Sequence, residues 1–296
     1  MNVKQRMNAF FIYLREVKNV SDNTFCSYER DITKLMEFLM DQGIDSWSKL
    51  NETNVTSYIL YLERTGYSSA TIARTIASVR SFVYYLIKMR EIDEDPTERV
   101  HAPKVEKRSP VTLTIEQVDQ LLNAPDMTTL KGIRDKAMLE LMYATGMKVS
   151  ELLSLSVQDI NLQYKIVTCR QQTSERLIPI GSEAFTYLND YIMSGRERIL
   201  NEKQTNYLFT NRKGEPMSRQ GFWKMIKVYA KKVELDCPIT PQIIRHSFAL
   251  HLIQNGADVN SVGEMLGYQD LSLAYLYCQK TKSKVWEEYQ KAHPKA

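Results

Sequence analysis

The chain has 296 residues, 43 % hydrophobic and 25 % charged, the balance of a soluble globular protein long enough for two cores. It contains no run of 18 or more apolar residues, which excludes a simple membrane span, and its amphipathic start MNVKQRMNAFFIYLREV is unlike a secretory signal, so the expected compartment is the cytoplasm. The net charge of +4 is too small to indicate nucleic acid by itself; residues 1–105 hold 14 basic and 14 acidic side chains, so the rest of the chain carries the whole excess.

Residues 1–91 read as a helical N-terminal domain of four helices. The first covers about Val3 to Val17. The second is capped by Ser21 and runs to Gln42, with Phe25, Tyr28, Ile32, Leu35, Met36 and Leu39 at helical spacing. The third covers about Val55 to Arg64 and stops at Gly66. The fourth starts at Ser68 or Ser69 and aligns Ile72, Ile76, Val79, Phe82, Val83 and Leu86. Its opposite face carries Arg74, Arg80, Lys88 and Arg90, which suit either a solvated surface or a DNA-facing one.

Between Ile92 and Thr112 periodicity is lost, and three prolines with charges of both signs mark an interdomain linker, 92–112. Its basic cluster Lys104, Lys107 and Arg108 fits a strap along a phosphate backbone as well as a plain tether.

The second domain, 113–296, opens on a capping box from Thr114 to Gln117. Helices are expected to Leu122, over Leu130 to Ala144 with Gly146 as stop, and over VSELLSL with Ser150 as cap. The period then changes. Ile160 to Arg170 and Arg176 to Ile180 alternate as two strands joined by Gln171-Gln172-Thr173-Ser174, a small β-hairpin. Further helices are expected over Ala184 to Met193 and Gln220 to Val233. Thr240-Pro241 then opens a helix that stops at Asn255-Gly256, and a short one follows over Val259 to Leu266. A terminal helix, about Lys282 to Gln290, carries Val285, Trp286 and Tyr289 and needs a surface to dock on, in its own domain or on a neighbouring subunit. The fold class expected is mainly α with a small β-hairpin in the second of two domains. Cys26, Cys169, Cys237 and Cys278 are widely spaced, with no CxxC or HxxxH, so no zinc is expected and the thiols read as reduced and structural.

Two segments resemble a known family. GIRDKAMLELMYATGMKVSELLSL is similar to the first conserved box of tyrosine recombinases of the phage-integrase type, the Xer branch in particular, and TPQIIRHSFALHLIQNGADVNSVGEMLGYQDLSLAYLY looks like their second. The likeness extends over nearly the whole chain, including the helical N-terminal domain, the core-binding or SAM-like domain of that family. The resemblance implies a two-domain clamp around double-stranded DNA and a homo- or hetero-oligomer of recombinase subunits, with the terminal helix a candidate subunit contact. It implies no metal and no nucleotide cofactor. A Tyr attacks the scissile phosphate, forms a 3′-phosphotyrosyl bond and releases a 5′-hydroxyl.

That chemistry needs an activated phenol, whose free pKa is about 10, fixed cations on the non-bridging oxygens, and a general acid for the leaving hydroxyl. The family supplies a Tyr, two Arg, a hairpin Lys, a His three residues before the second Arg, and a later His or Trp. Carried over by position, the nucleophile is Tyr277 and the second Arg is Arg245. The other four positions are substituted: the first Arg is Lys148, the hairpin Lys is Gln171, the His is Gln242, and the His or Trp is Tyr268. Lys148 keeps a charge but lacks the planar fork that grips two oxygens. Gln171 cannot supply a proton, a loss of about 10²–10⁴-fold in rate. A missing oxyanion donor costs about 10²–10³-fold. The pattern therefore implies DNA binding with strand cleavage lost or strongly impaired; the alternative is an active recombinase with a remodelled pocket, in which Arg170, Ser174 or Lys165 contributes near Gln171. A plain helical transcription regulator would account for neither the hairpin nor the second box.

Candidate DNA contacts are Arg74, Arg80, Lys104, Lys107, Arg108, Arg170, Arg176 and His246. His246 also reads as a structural hydrogen-bonding group, and His251 as a helix-packing or phosphate-contacting one. Asp135 is expected to pair with Arg134, and Glu151 to place Lys148.

Overall fold

A computed structural model describes residues 3–105, 110–170, 175–211 and 213–267. The chain divides into two compact units, 1–107 and 108–296. Both are helical, and the second carries a small antiparallel sheet, in agreement with the class expected from the sequence.

The first unit consists of α1 (Val3–Glu16), α2 (Asp22–Asp41), α3 (Glu52–Arg64) and α4 (Ser69–Lys88). Each buries the stripe that its spacing marks out, and Phe10, Ile32, Tyr58, Phe82 and Leu86 are among its most buried side chains. Ser21 and Ser68 accept the N–H of the third residue of their helices, satisfying one of the donors a helix start leaves open. The third helix begins three residues earlier than its apolar spacing suggests. Asn51 and Asn54 exchange side-chain and backbone hydrogen bonds at 3.0 and 3.1 Å, a capping box built without Glu or Gln.

Trp47, at 4.7 Å and edge-on to Phe82, donates its indole N–H to the Val3 carbonyl and so ties the chain start to the core. Ile92, Thr97 and Val100 are buried, the two apolar ones within this same core. The first part of the stretch 92–112 is thus packed rather than free. The sequence read it all as linker because prolines and mixed charge hide two isolated anchors.

The second unit holds α5 (Ile115–Leu122), α6 (Leu130–Thr145), α7 (Val149–Ser154), β1 (Ile160–Asn161), β2 (Ile166–Arg170), β3 (Glu175–Pro179), α8 (Ser182–Asp190), α9 (Arg196–Leu200), α10 (Arg219–Lys232), α11 (Pro241–Gln254) and α12 (Val259–Leu266). α6 is buried nearly all round, with Met138, Leu139, Leu141 and Met142 fully inside, and packs on α8 and α11.

Three elements of the second unit differ from their expected form. The strand expected over Ile160–Arg170 is two strands in a three-stranded meander, because the chain turns between them with Lys165 at φ +53°. The helix expected to end at Met193 passes through a π-helical turn, Tyr191–Gly195, into α9. The N-cap of α7 is Lys148, not Ser150, because the Glu151 carboxylate takes the Lys148 N–H at 2.7 Å.

Among the described residues no helix is long and apolar enough to cross a membrane. The terminal helix expected at Lys282 to Gln290 lies outside the described residues.

Candidate phosphate site

The second unit brings the ends of four elements together through two arginines. α6 stops at Gly146, which has φ +58° and donates its N–H to the Met142 carbonyl. A side chain there would run into the Phe248 ring of α11, so glycine is required both for the turn and for the close approach. Two residues on, Lys148 stands exposed at the start of α7.

Arg245, only 2 % exposed on α11, donates Nη1 to the Gly146 carbonyl and Nη2 to the Leu266 carbonyl, both at 2.6 Å. Arg176 of β3 grips the Glu151 carboxylate with both terminal nitrogens, at 3.0 and 2.8 Å, and donates Nε to the Met265 carbonyl at 2.8 Å. Two guanidiniums therefore hold consecutive carbonyls of the last turn of α12, groups that a helix end leaves unpaired and whose partial negative charge favours cations. Gly267 follows at φ +64°, and an added Cβ would sit 3.1 Å from Arg176 Nη1.

The outcome is a frame in which the Lys148 turn, the β2–β3 edge, α11 and the end of α12 are fixed to one another. Glu151 links them: it caps α7 at the Lys148 N–H and neutralises Arg176. Cys169 of β2 lies within the field of this cluster. Burial pushes its thiol up to about 11 against the pull of Arg176 and Arg245, so it stays protonated and is no nucleophile.

Of the residues singled out in the sequence, Arg245 and the backbone of Lys148 meet here, and Arg176 joins them as a structural clasp rather than as an outward-facing cation. Gln242 is exposed on the first turn of α11, one turn before Arg245, and His246 is half-buried. Arg170 pairs with Asp159 and, at 3.4 Å, with Glu175. Gln171, Tyr268, Tyr277, Lys107 and Arg108 lie outside the described residues.

In the first unit, Arg74 is committed to Asp31 in a bidentate pair at 2.7 and 3.1 Å, with the Ser78 hydroxyl on the same carboxylate. Arg80 donates to the Val100 carbonyl at 2.6 Å, and Lys104 is exposed. The charged face of α4 thus holds its own unit together at two of the expected DNA contacts.

Helix α10 carries a basic surface that neither family motif marks. Its 14 residues hold five basic side chains, Arg219, Lys224, Lys227, Lys231 and Lys232, and no acidic one. Lys232 reaches the Ala124 carbonyl, and Lys227 lies 4.5 Å over the Trp223 ring. A count of charge by helix finds this signal, whereas a count by domain dilutes it.

His251 proves to be a packing residue. Its Nε2–H donates to the Leu113 carbonyl at 3.0 Å, so Nδ1 must accept the Tyr143 hydroxyl at 2.8 Å, and Ser247 accepts the Leu113 N–H at 2.8 Å. One turn of α11 thereby holds both backbone groups of Leu113. Burial lowers the pKa of His251 from its ordinary value, against the opposing pull of the Leu113 carbonyl, Glu116 and Asp119.

The unfolded chain therefore takes this proton more readily than the folded one. Stability is intact above the unfolded value of about 6.5 and declines as pH falls through it towards the lower folded pKa. Urea unfolding midpoints should drop between about pH 7.5 and pH 5.5, and His251→Gln should shrink that drop. An identical pH dependence in the variant would remove His251 as the cause.

Among the described residues no cluster of His, Cys, Asp and Glu could hold a metal ion.

Comparison with known proteins agrees with this architecture. The Phage integrase family matches residues 112–284, and the N-terminal SAM-like domain of phage integrases matches residues 7–90. A putative tyrosine recombinase of Caldanaerobacter subterraneus is 44 % identical over 290 residues, covering 98 % of each chain. Tyrosine recombinase XerD of Halalkalibacterium halodurans is 40 % identical over 99 % of both. In fold, the chain is similar to the Tn1549 transposon integrase in complex with transposon right end DNA (TM-score 0.76, 20 % identity, 99 % of each chain covered). It is also similar to the XerH site-specific recombinase bound to palindromic difH substrate (TM-score 0.75, 19 % identity, 95 % of this chain and 83 % of that one). With both domains matched in order and relatives alike over their full length, the chain belongs to the phage integrase family, among its Xer-like tyrosine recombinases.

Proposed function

We propose that this chain is a DNA-binding recombinase-family subunit for site-specific recombination, which holds a backbone phosphate at the Arg245–Lys148 frame and cuts it slowly or not at all. The observation that carries this reading is the substitution pattern: glutamine at 171 and 242, and lysine at 148, where the family has Lys, His and Arg. None of these can be exchanged without loss. Gln171 removes the proton donor to the leaving oxygen, and Lys148 offers a point charge where a fork would hold two oxygens.

The buried scaffold of Arg245, Arg176 and Glu151 supports binding, because it positions the Lys148 turn whether or not chemistry follows. Helix α10 supports a second contact: Trp223, Lys227 and Lys231 share one flank, a basic and aromatic surface suited to a phosphate backbone. XerD relatives and the DNA-bound structures of similar fold favour double-stranded DNA as the ligand and recombinase subunits, of this chain or of a relative, as partners.

A second reading keeps cleavage through Tyr277, and the retention of Tyr277 and Arg245 favours it. The two separate on a nicked suicide duplex carrying a site selected by the protein from random DNA. Under the first, covalent adduct forms at least about 10²-fold more slowly than with a relative holding the full residue set. An adduct formed at the relative's rate and abolished by Tyr277→Phe establishes the second. Binding to the same duplex should weaken steeply with salt, and salt-independent affinity would contradict both.

A further inference from the structure

The other flank of α10 opens on a groove of about 1150 Å³ that lies wholly within the second unit. It runs between the start of α6, α9, the segment around Met217 and α10. Its volume exceeds that of most small-molecule sites, about 300–1000 Å³, and suits a polypeptide segment. Leu130, Ile199, Met217 and Met225 give it an apolar lining, and Val228, 53 % exposed, lies among them.

Lys131, Arg198 and Lys224 are exposed on its rim, and Glu215 is the one acidic side chain among the described residues that line it. Arg134, at its base, is already neutralised by Asp135. The N-terminal ends of α6 and α10, capped by Thr129 and Ser218, also line the groove and add to its positive potential.

We infer that this groove docks an acidic amphipathic helical segment of a partner protein, with apolar side chains on Met225 and Val228 and carboxylates facing Lys131, Arg198 and Lys224. An apolar lining gives no advantage to a phosphate backbone, which needs cations and water. A helix about 10 Å across with apolar residues at i, i+4 and i+7 answers both the lining and the rim. The inference does not depend on whether the chain cuts DNA, since no residue of the phosphate frame lines the groove.

The test places a photo-crosslinking benzophenone amino acid at position 228 of the full chain, in the cells that produce it, and identifies what becomes attached by peptide mass spectrometry. Attachment to a segment of another protein with net negative charge and helical apolar spacing is the expected result. The pair Lys131→Glu and Lys224→Glu should lower its yield by about tenfold or more, while Lys227→Ala, on the other flank of α10, should leave it within about twofold. Attachment to DNA, to another copy of this chain or to a segment without acidic character overturns the inference. No attachment, or a yield indifferent to the charge reversal, overturns it equally. If substitution of Val228 lowers stability, the same label at the exposed Arg198 gives the same readout.

Discussion

Restoring the family residues at three positions, Lys148→Arg, Gln171→Lys and Gln242→His, should raise the rate of covalent adduct formation on a suicide duplex by several orders of magnitude. Gln171→Lys alone returns a general acid, worth about 10²–10⁴-fold. Lys148→Arg returns a bidentate donor to the oxygens that gain charge, worth about 10²–10³-fold. The gains will not multiply cleanly, because groups acting on one transition state are coupled. The frame should accept two of the changes with little strain. Lys148 is exposed at the cap of α7 and is held by its backbone N–H, not by its side chain, to Glu151. Gln242 is exposed on the first turn of α11. Such surface changes usually shift stability by no more than about 0.5 kcal/mol. Tyr277→Phe in the restored background should remove the adduct. If the triple variant gains nothing, the substituted positions are not what limits cleavage, and the proposal of a binding subunit with impaired chemistry loses its basis.

Asp135→Ala should destabilise the second unit by about 3–5 kcal/mol, the cost of leaving a buried charge without its partner. Asp135 is fully buried. Its Oδ1 accepts Arg134 Nε and Nη2 at 3.0 and 2.7 Å, and its Oδ2 accepts the Tyr229 hydroxyl at 2.8 Å. Arg134 spends Nη1 on the Thr210 carbonyl at 2.9 Å. One carboxylate thus joins α6, α10 and the strand-like segment at Thr210. Burial, with the Asp135 charge adding to it, holds the Tyr229 phenol above its ordinary range, so it remains a donor. For a unit of this size the loss corresponds to a fall in Tm of roughly 6–20 °C. Asp135→Asn, which keeps part of the hydrogen bonding, should lose less, and Arg134→Met with Asp135→Leu should recover much of the stability, since replacing a buried pair by packed apolar groups is often neutral. A double variant less stable than Asp135→Ala would show that the pair is worth more than its desolvation costs.

The elements were legible where local chemistry decides them. Ser21, Ser68, Thr114 and Thr240 each cap a helix as read, Gly146 and Asn255-Gly256 end theirs, and the apolar stripes of α2 and α4 face the first core. The boundaries that failed depended on neighbours. Asn51 forms a box with Asn54, Lys165 turns a strand in two, and Ile92 and Val100 find a core that no periodicity announces.

The candidate site divides in the same way. The order of motif residues in the chain proposes Arg245, Lys148, Gln171, Gln242, Tyr268 and Tyr277 as a set, because spacing along a helix or from a box is a property of the sequence. What each cation does was decided only by the folded chain. Arg74, Arg170 and Arg176 were equal candidates for DNA by charge alone; in the folded chain each pairs with a carboxylate, Asp31, Asp159 and Glu151 respectively. A guanidinium's role depends on which carboxylates and carbonyls reach it, and those partners lie 25 to 43 residues away for Arg176 and Arg74. The sequence by itself determined the family and which motif positions are substituted; the tertiary structure decided that Arg176 and Arg245 brace the end of α12, because burial and long-range pairing, not residue type, settle what a buried charge holds.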